Sequence, residues 1–178
     1  AAHAVAEEIA AAGGQATAAP GDVSSWSVAQ ELVDTAVSAY GQLDVLVNNA
    51  GQVRDRTIFN ISEEEWDAVI GVHLKGHAGT SRFATAHWRE RSKATGGPVY
   101  GRIVNTASEA FLAGSPGQPN YAAAKGGIVG LTTSTAAALA RYGVRTNVIC
   151  PRARTRMTED VFTAPDPGLA PEHVAPLV

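Results

Sequence analysis

Leu43-Asp44-Val45-Leu46-Val47-Asn48-Asn49-Ala50-Gly51 is an apolar, β-branched run that empties into two asparagines and a glycine. Leu43 to Val47 have the composition of a strand buried on both faces of a parallel sheet. Upstream, Gly41 closes a helix spanning Ser27 to Tyr40, which Ser24-Ser25 can N-cap. Before it, Gln15 to Val23 alternates small apolar residues and is expected as a short strand ending at Asp22-Val23. His3 to Ala12 forms the tail of a helix, ended by Gly13-Gly14. Downstream, Ser62-Glu63-Glu64-Glu65 is a capping box opening a long helix through Trp66, Val69, Ile70 and Leu74 toward Trp88. Gly96-Gly97-Pro98 breaks the chain, and Arg102 to Thr106 makes the next strand. After a Gly/Pro-studded loop from Ser108 to Pro119, Asn120 to Tyr142 is an Ala/Gly-rich helix that Gly143 leads into a strand from Val144 to Cys150. Pro171-Glu172-His173 can start one more helix.

Strand and helix alternate throughout, and no repeat or linker divides residues 1–178. The expected fold is α/β: a doubly wound parallel sheet with helices on both faces, in one domain. Such sheets bind ligands beyond the carboxyl ends of their strands. Three strand ends carry conspicuous polar residues there: Asp22, Asn48-Asn49, and Thr106 to Ser108.

The 33 alanines and 18 glycines imply helix contacts made by small side chains. Fourteen Lys and Arg stand against 17 Asp and Glu, with no basic run, so nucleic acid is not an expected partner. No stretch approaches the roughly 20 apolar residues of a membrane span, and the first residues lack a secretory signal, so a cytoplasmic protein is expected. The single cysteine, Cys150, allows neither an internal disulfide nor a cysteine metal cluster, and is expected as a small buried side chain at a strand end. Met157 is the only methionine, so residue 1 is not expected to be a translation start.

Tyr121-Ala-Ala-Ala-Lys125 puts a phenol and an ammonium one turn apart on one helix face. An ammonium beside a phenol favours the phenolate, so the expectation is a tyrosine pKa drawn down from about 10 toward working pH. That would make Tyr121 a general acid or base. Ser108, thirteen residues earlier at a strand end, can hydrogen-bond the carbonyl oxygen that Tyr121 protonates.

Asn48-Asn49-Ala50-Gly51 after an apolar strand, Ser108 ahead of Tyr121-x-x-x-Lys125, and Asp22-Val23 after an earlier strand together resemble the short-chain dehydrogenase/reductase superfamily, from about His3 to the last residue. The resemblance implies a Rossmann-like, NAD- or NADP-dependent oxidoreductase acting on a small-molecule carbonyl or alcohol. In its terms Ser108 holds the substrate oxygen, Tyr121 transfers the proton and also lies against the cofactor, and Lys125 tunes Tyr121 and binds the nicotinamide ribose. The positions matching Asp22 and Val23 contact the adenine, and those matching Asn49, Ala50 and Gly51 pass under the adjacent ribose. Thr155 matches a threonine that bonds the carboxamide, although Arg152 stands where a glycine is usual. Val72-His73-Leu74-Lys75-Gly76, Gly117-Gln118-Pro119-Asn120-Tyr121, Arg156-Met157-Thr158 and Pro171 to Val178 are similar to the branch holding the (3R)-hydroxyacyl-CoA dehydrogenase domain of peroxisomal multifunctional enzymes. The 3-oxoacyl-carrier-protein reductases are more distant.

His73 occupies the place of a catalytic asparagine, at a helix kink whose main-chain carbonyl holds a water linked to the lysine; a proton relay with an unusual side group is expected, against a histidine merely packed at a helix interface. His73 and His77 have the i, i+4 spacing of metal ligands, but Leu74 stands where a zinc-protease glutamate would, and no metal is expected. Gly126, Gly127 and Gly130 are expected to permit close helix packing. Their helix and the one after Glu63 form the family's dimer face, implying a homodimer or homotetramer. The first strand, Gly-rich turn, helix and second strand of the family, and its last strand, have no counterpart in the sequence, so a sheet with a central gap is expected. The alternative is a catalytically inactive, truncated relative acting only as an oligomerisation or binding module.

Overall fold

A computed structural model describes residues 2–159, 162–163 and 166–178. Its sheet has three parallel strands in the order β1-β2-β3: β1 (Val45–Asn48), β2 (Gly101–Thr106) and β3 (Val144–Ile149). Val45 to Asn48 pair with Arg102 to Asn105, and Gly101 to Thr106 with Val144 to Ile149. Helices α1 (Ala2–Ala11) and α2 (Trp26–Tyr40) precede the sheet. Between β1 and β2 run α3 (Glu63–Ile70), a π-helical turn (Gly71–Lys75) and α4 (Gly76–Thr95). Helix α5 (Ala110–Ala113) and α6 (Pro119–Leu139) connect β2 to β3. α2 packs on α4, which contacts β1, and α6 packs on β2 and β3, giving three layers.

The capping box and the helix-ending glycines act as their chemistry dictates, whereas Ser25, at the N-cap of α2, makes no side-chain capping bond and meets the Ser27 hydroxyl at 2.9 Å. Ser62 accepts from Glu65 N–H while the Glu65 carboxylate accepts from Ser62 N–H, closing the capping box at α3. Gly41 and Gly96 end α2 and α4 in the left-handed region. The core is Val33, Ala84, Trp88, Ile103 and Val144. Trp88 is fully buried and its indole N–H donates to Leu43 O at 2.6 Å, so its one polar atom costs nothing to bury. Gly101 makes room for it: a Cβ there would lie 2.8 Å from Trp88 Cδ2 and 3.0 Å from Val144 Cγ2. Replacing Trp88 by alanine would cost about 3–5 kcal/mol.

Four expectations are corrected. Residues 15–23 form no strand, because a strand needs a hydrogen-bonded neighbour and none of the described residues provides one. Side-chain bonds fasten them instead: Asp22 Oδ1 accepts from Ser24 N–H at 2.9 Å, and Tyr40 Oη, from the end of α2, donates to Thr17 Oγ1 at 3.0 Å. β1 is an edge strand rather than one buried on both faces; Val45 is 43% and Val47 46% exposed, since α6 lies under β2 and β3 instead. Cys150 is exposed, because it falls beyond the last residue of β3, at the strand's open end. The expected C-terminal helix is a series of 3-10 turns at Pro167–Leu169, Pro171–His173 and Ala175–Leu177. Gly127 does admit a close contact, since a Cβ there would meet Leu74 Cδ2 at 2.8 Å, whereas Gly130 faces open space. Among the described residues no helix is long and apolar enough to cross a membrane.

Candidate active site

The carboxyl ends of β2 and β3 and the first turns of α6 enclose a cleft of about 660 Å³. Ser108, Tyr121 and Lys125 all line it, with Asn49, Gly51, His73 and Thr155. Lys125 is 3% exposed, and its Nζ donates to the carbonyl of Thr106, the last residue of β2, at 2.6 Å. The ammonium is therefore pinned under the strand end, 5.3 Å from the centre of the Tyr121 ring. An ammonium has three donors, and Thr106 O accounts for one. Burial pulls its pKa from 10.5 down to about 8.

The electrostatics of Tyr121 differ from the expected. Its phenol is raised above 10, chiefly by burial, and the Ser108 hydroxyl, which acts to lower it, does not compensate. The ammonium, bonded to Thr106 O, does not offset the burial of the phenol. Without ligand, the arrangement holds a neutral phenol ready to donate.

His73 sits in the π-helical turn, where an extra residue in the helical repeat re-aims the side chain. Its Nε2 lies 3.1 Å from Gln52 N and 2.8 Å from Gln52 O, and its ring stands edge-on to Tyr121 with centroids 5.2 Å apart. Gly51 is what lets it in, since a Cβ there would come within 2.6 Å of His73 Cε1. Burial, then the Lys125 charge, push the His73 pKa down to about 4, so the imidazole is neutral at physiological pH. His77 is likewise lowered to about 4, first by burial. The two histidines do not converge: His73 lines the cleft, and His77 lines a separate cavity.

The residues expected to hold a cofactor divide between these two spaces. Gly51, Tyr121, Lys125 and Thr155 line the cleft. Val23, Asn49 and Ala50 line the second cavity, an apolar space of about 200 Å³ between α2, α4 and β1. Only Asn49 faces both. Asp22 lines neither; its carboxylate is bound to Ser24 N–H, which holds it below the usual carboxylate range. Thr155 Oγ1 accepts from Met157 N–H at 3.2 Å, fixing a turn at the cleft edge. Arg152, in the glycine's place, reaches across to Glu109 at 3.3 Å, linking the loops that follow β3 and β2.

Two groups of polar residues escaped the motif reading. Asn48 Nδ2 donates to Asn105 Oδ1 at 2.9 Å, Thr80 donates to Asn48 Oδ1 at 2.6 Å, and Asn105 Nδ2 donates to Thr132 at 2.9 Å. This buried chain ties β1, β2, α4 and α6 together through the first asparagine of the pair, while the second lines both the cleft and the cavity. The other is Asn120, fully buried beside Tyr121. An asparagine inside an apolar strand, as at Asn105, and one directly before the tyrosine were the available signals.

The family model described as short chain dehydrogenase matches residues 1–166. The chain belongs to the short-chain dehydrogenase family. It is 58% identical over 175 residues to hydroxyacyl-CoA dehydrogenase ChsB1 of Mycobacterium tuberculosis, covering 94% of this chain and 55% of that protein. It is 41% identical over 181 residues to peroxisomal multifunctional enzyme type 2 of Mus musculus, covering 100% of this chain and 23% of that one. A crystal structure of a short chain dehydrogenase from Mycobacterium avium superposes with a TM-score of 0.88 at 56% identity, over 98% of this chain and 58% of that one. The hydroxyacyl-CoA dehydrogenase-like branch of the short-chain dehydrogenases is thus the one its motifs indicated. The chain spans little more than half the length of the Mycobacterium tuberculosis relative and of the Mycobacterium avium structure.

Proposed function

We propose that the protein carrying this chain transfers a hydride between NAD or NADP and carbon 3 of a 3-hydroxyacyl or 3-oxoacyl thioester, a secondary alcohol and ketone pair. The observation that carries this is the convergence of Ser108, Tyr121 and Lys125 on one cleft at the carboxyl end of the central strand. Hydroxyacyl-CoA dehydrogenase ChsB1 lends its substrate class to the proposal. The same convergence favours a catalyst over a mere binding or oligomerisation module.

The residues present fit a nicotinamide nucleotide. Lys125 is a buried cation with donors beyond the one spent on Thr106, suited to ribose hydroxyls at the cleft floor. Asn49 and Gly51, which line the same cleft, would pass under the ribose next to the adenine, and Thr155 would meet the carboxamide. The bound nicotinamide supplies hydride donor and acceptor chemistry. The chain supplies the rest. Ser108 Oγ donates to the substrate oxygen and orients it. Tyr121 Oη gives its proton to that oxygen in reduction and takes it back in oxidation, as a general acid or base. The charge of Lys125, beside the ring, stabilises the phenolate left after donation. His73, packed edge-on against Tyr121, holds the ring and the Gln52 backbone in place. A single partial Rossmann-type domain over residues 1–178, a cytoplasmic location and a homodimer or homotetramer belong to the same proposal. The oligomer is supported by α6, whose only charged residue, Lys125, is buried.

Mixing the protein with a (3R)-3-hydroxyacyl-CoA and NAD, or in a parallel reaction NADP, tests the reading. Reduced nicotinamide should accumulate with substrate-dependent kinetics and with preference for one of the two. Absence of turnover with both, in a folded protein that binds either nucleotide, would refute it.

A further inference from the structure

Tyr121 has to keep one distance from the loop that follows β1, because a bound dinucleotide would touch both. The structure contains a device for this that lies outside the Ser-Tyr-Lys set. Asn120 is 0% exposed, and its amide serves three backbone groups from three segments. Nδ2 donates to Arg54 O at 3.1 Å and to Glu65 O at 3.2 Å, and Oδ1 accepts from Tyr121 N–H at 2.8 Å. Two carbonyls and one N–H are what an amide side chain can serve at once; a carboxylate has no donor and an alkyl group has nothing.

The Tyr121 N–H is one of the amides that the first turn of a helix leaves without an internal partner. Gln118, at the N-cap of α6, makes no side-chain cap. Its side chain is spent instead on Asp55, with Nε2 donating to the two carboxylate oxygens at 3.1 and 3.0 Å. Arg56 N–H donates to Gly117 O at 2.7 Å. Residues 54–56 are therefore laced to residues 117–120, and Asn120 is the buried stitch. The other end of the same loop is held by His73 at Gln52.

We propose that Asn120 is a positioning residue that locks the loop carrying Asn49 and Gly51 to the first turn of α6 carrying Tyr121. It sets the spacing between the bound dinucleotide and the phenol, and so rests on the oxidoreductase reading for its catalytic consequence. Displacements of about 1 Å at a reacting centre can cost on the order of a hundredfold in rate.

The test uses Asn120→Ala, Asn120→Ser and, as a control on the same loop, Arg56→Ala, which removes a half-exposed ion pair with Glu65 at 3.3 Å and keeps the backbone bond from Arg56 N–H to Gly117 O. Hydrogen exchange is followed by mass spectrometry on peptides covering residues 50–60, 119–124 and 144–149. In Asn120→Ala, exchange should quicken at least tenfold in the first two peptides and stay unchanged in the third. The kcat should fall about thirtyfold, with the KM for cofactor altered less than threefold. Asn120→Ser, which keeps an acceptor for Tyr121 N–H, should fall between Asn120→Ala and the parent, and Arg56→Ala should match the parent. Unchanged exchange at residues 50–60, or exchange that quickens equally in all three peptides in both Asn120 variants, would overturn the proposal. A parent protein without dehydrogenase activity would remove the oxidoreductase reading alone, since the exchange arm reads the lock directly.

Discussion

The N-terminal end of the fold and the end built around β2 differ in how they are held. β2 is paired on both sides, its Ile103 is fully buried, and the residue at its end, Thr106, anchors Lys125. Residues 15–23 and the outer edge of β1 have no such support: the first is held by turns, and the second exposes Val45 and Val47. Ser108, Tyr121 and Lys125 belong to the well-held end, whereas Asp22 and Val23, the residues aligned with adenine contacts, belong to the other. Groups that move protons need fixed distances of tenths of an ångström, and the structure places them where packing and hydrogen bonds leave little freedom.

The contrast breaks most visibly at Lys125. Lys125→Ala removes the cation beside Tyr121 and the ribose ligand together, so kcat should fall by roughly a thousandfold and cofactor affinity by at least tenfold. Steady-state rates and a nicotinamide fluorescence titration check both. A variant that lost affinity alone would place Lys125 in binding only.

The next effect concerns acid. His73 and His77 protonate at about 4 in the folded chain but at 6.5 when unfolded, so as pH falls the unfolded chain takes up these protons first. Stability is whole above about 6.5 and drains as pH falls toward 4, by on the order of 1–3 kcal/mol per histidine. Urea midpoints measured between pH 7 and 4.5 should decline, and His77→Leu should flatten the decline. An unchanged slope in that variant would mean that His77 does not titrate differently on folding.

The smallest effect is at the open edge. Val47→Thr, at a half-exposed position, should shift the urea midpoint by less than about 0.5 kcal/mol, whereas Ile103→Val, at the centre of the same sheet, should cost about 0.5–1.5 kcal/mol. Equal costs would show that the edge is covered in solution.

Sequence patterns revealed the well-held end more fully than the other. The capping box, the helix-ending glycines and the Tyr121-Lys125 spacing act through local geometry, which a linear pattern records. The strand expected at residues 15–23 failed because strand formation depends on a neighbour that no local pattern contains. The burial of β1 failed for the same reason, and Cys150 was misplaced by a single step past a strand end. Tyr121 shows the limit for the site: the spacing to Lys125 was legible, but the burial of the phenol, which reversed the expected pKa, and the turn of the ammonium toward Thr106 O are tertiary facts. Asn120 was visible as a residue but not as a hub, because Arg54 and Glu65 meet it only after folding.

The central claim, that proton transfer resides in Tyr121 while cofactor binding does not depend on its hydroxyl, is tested most directly by Tyr121→Phe. Single-turnover formation of reduced nicotinamide from a (3R)-3-hydroxyacyl-CoA is measured beside a fluorescence titration of the nucleotide. The account predicts a rate loss of about a thousandfold with cofactor affinity within about threefold of the parent. Retained turnover, or a loss of affinity as large as the loss of rate, would contradict it.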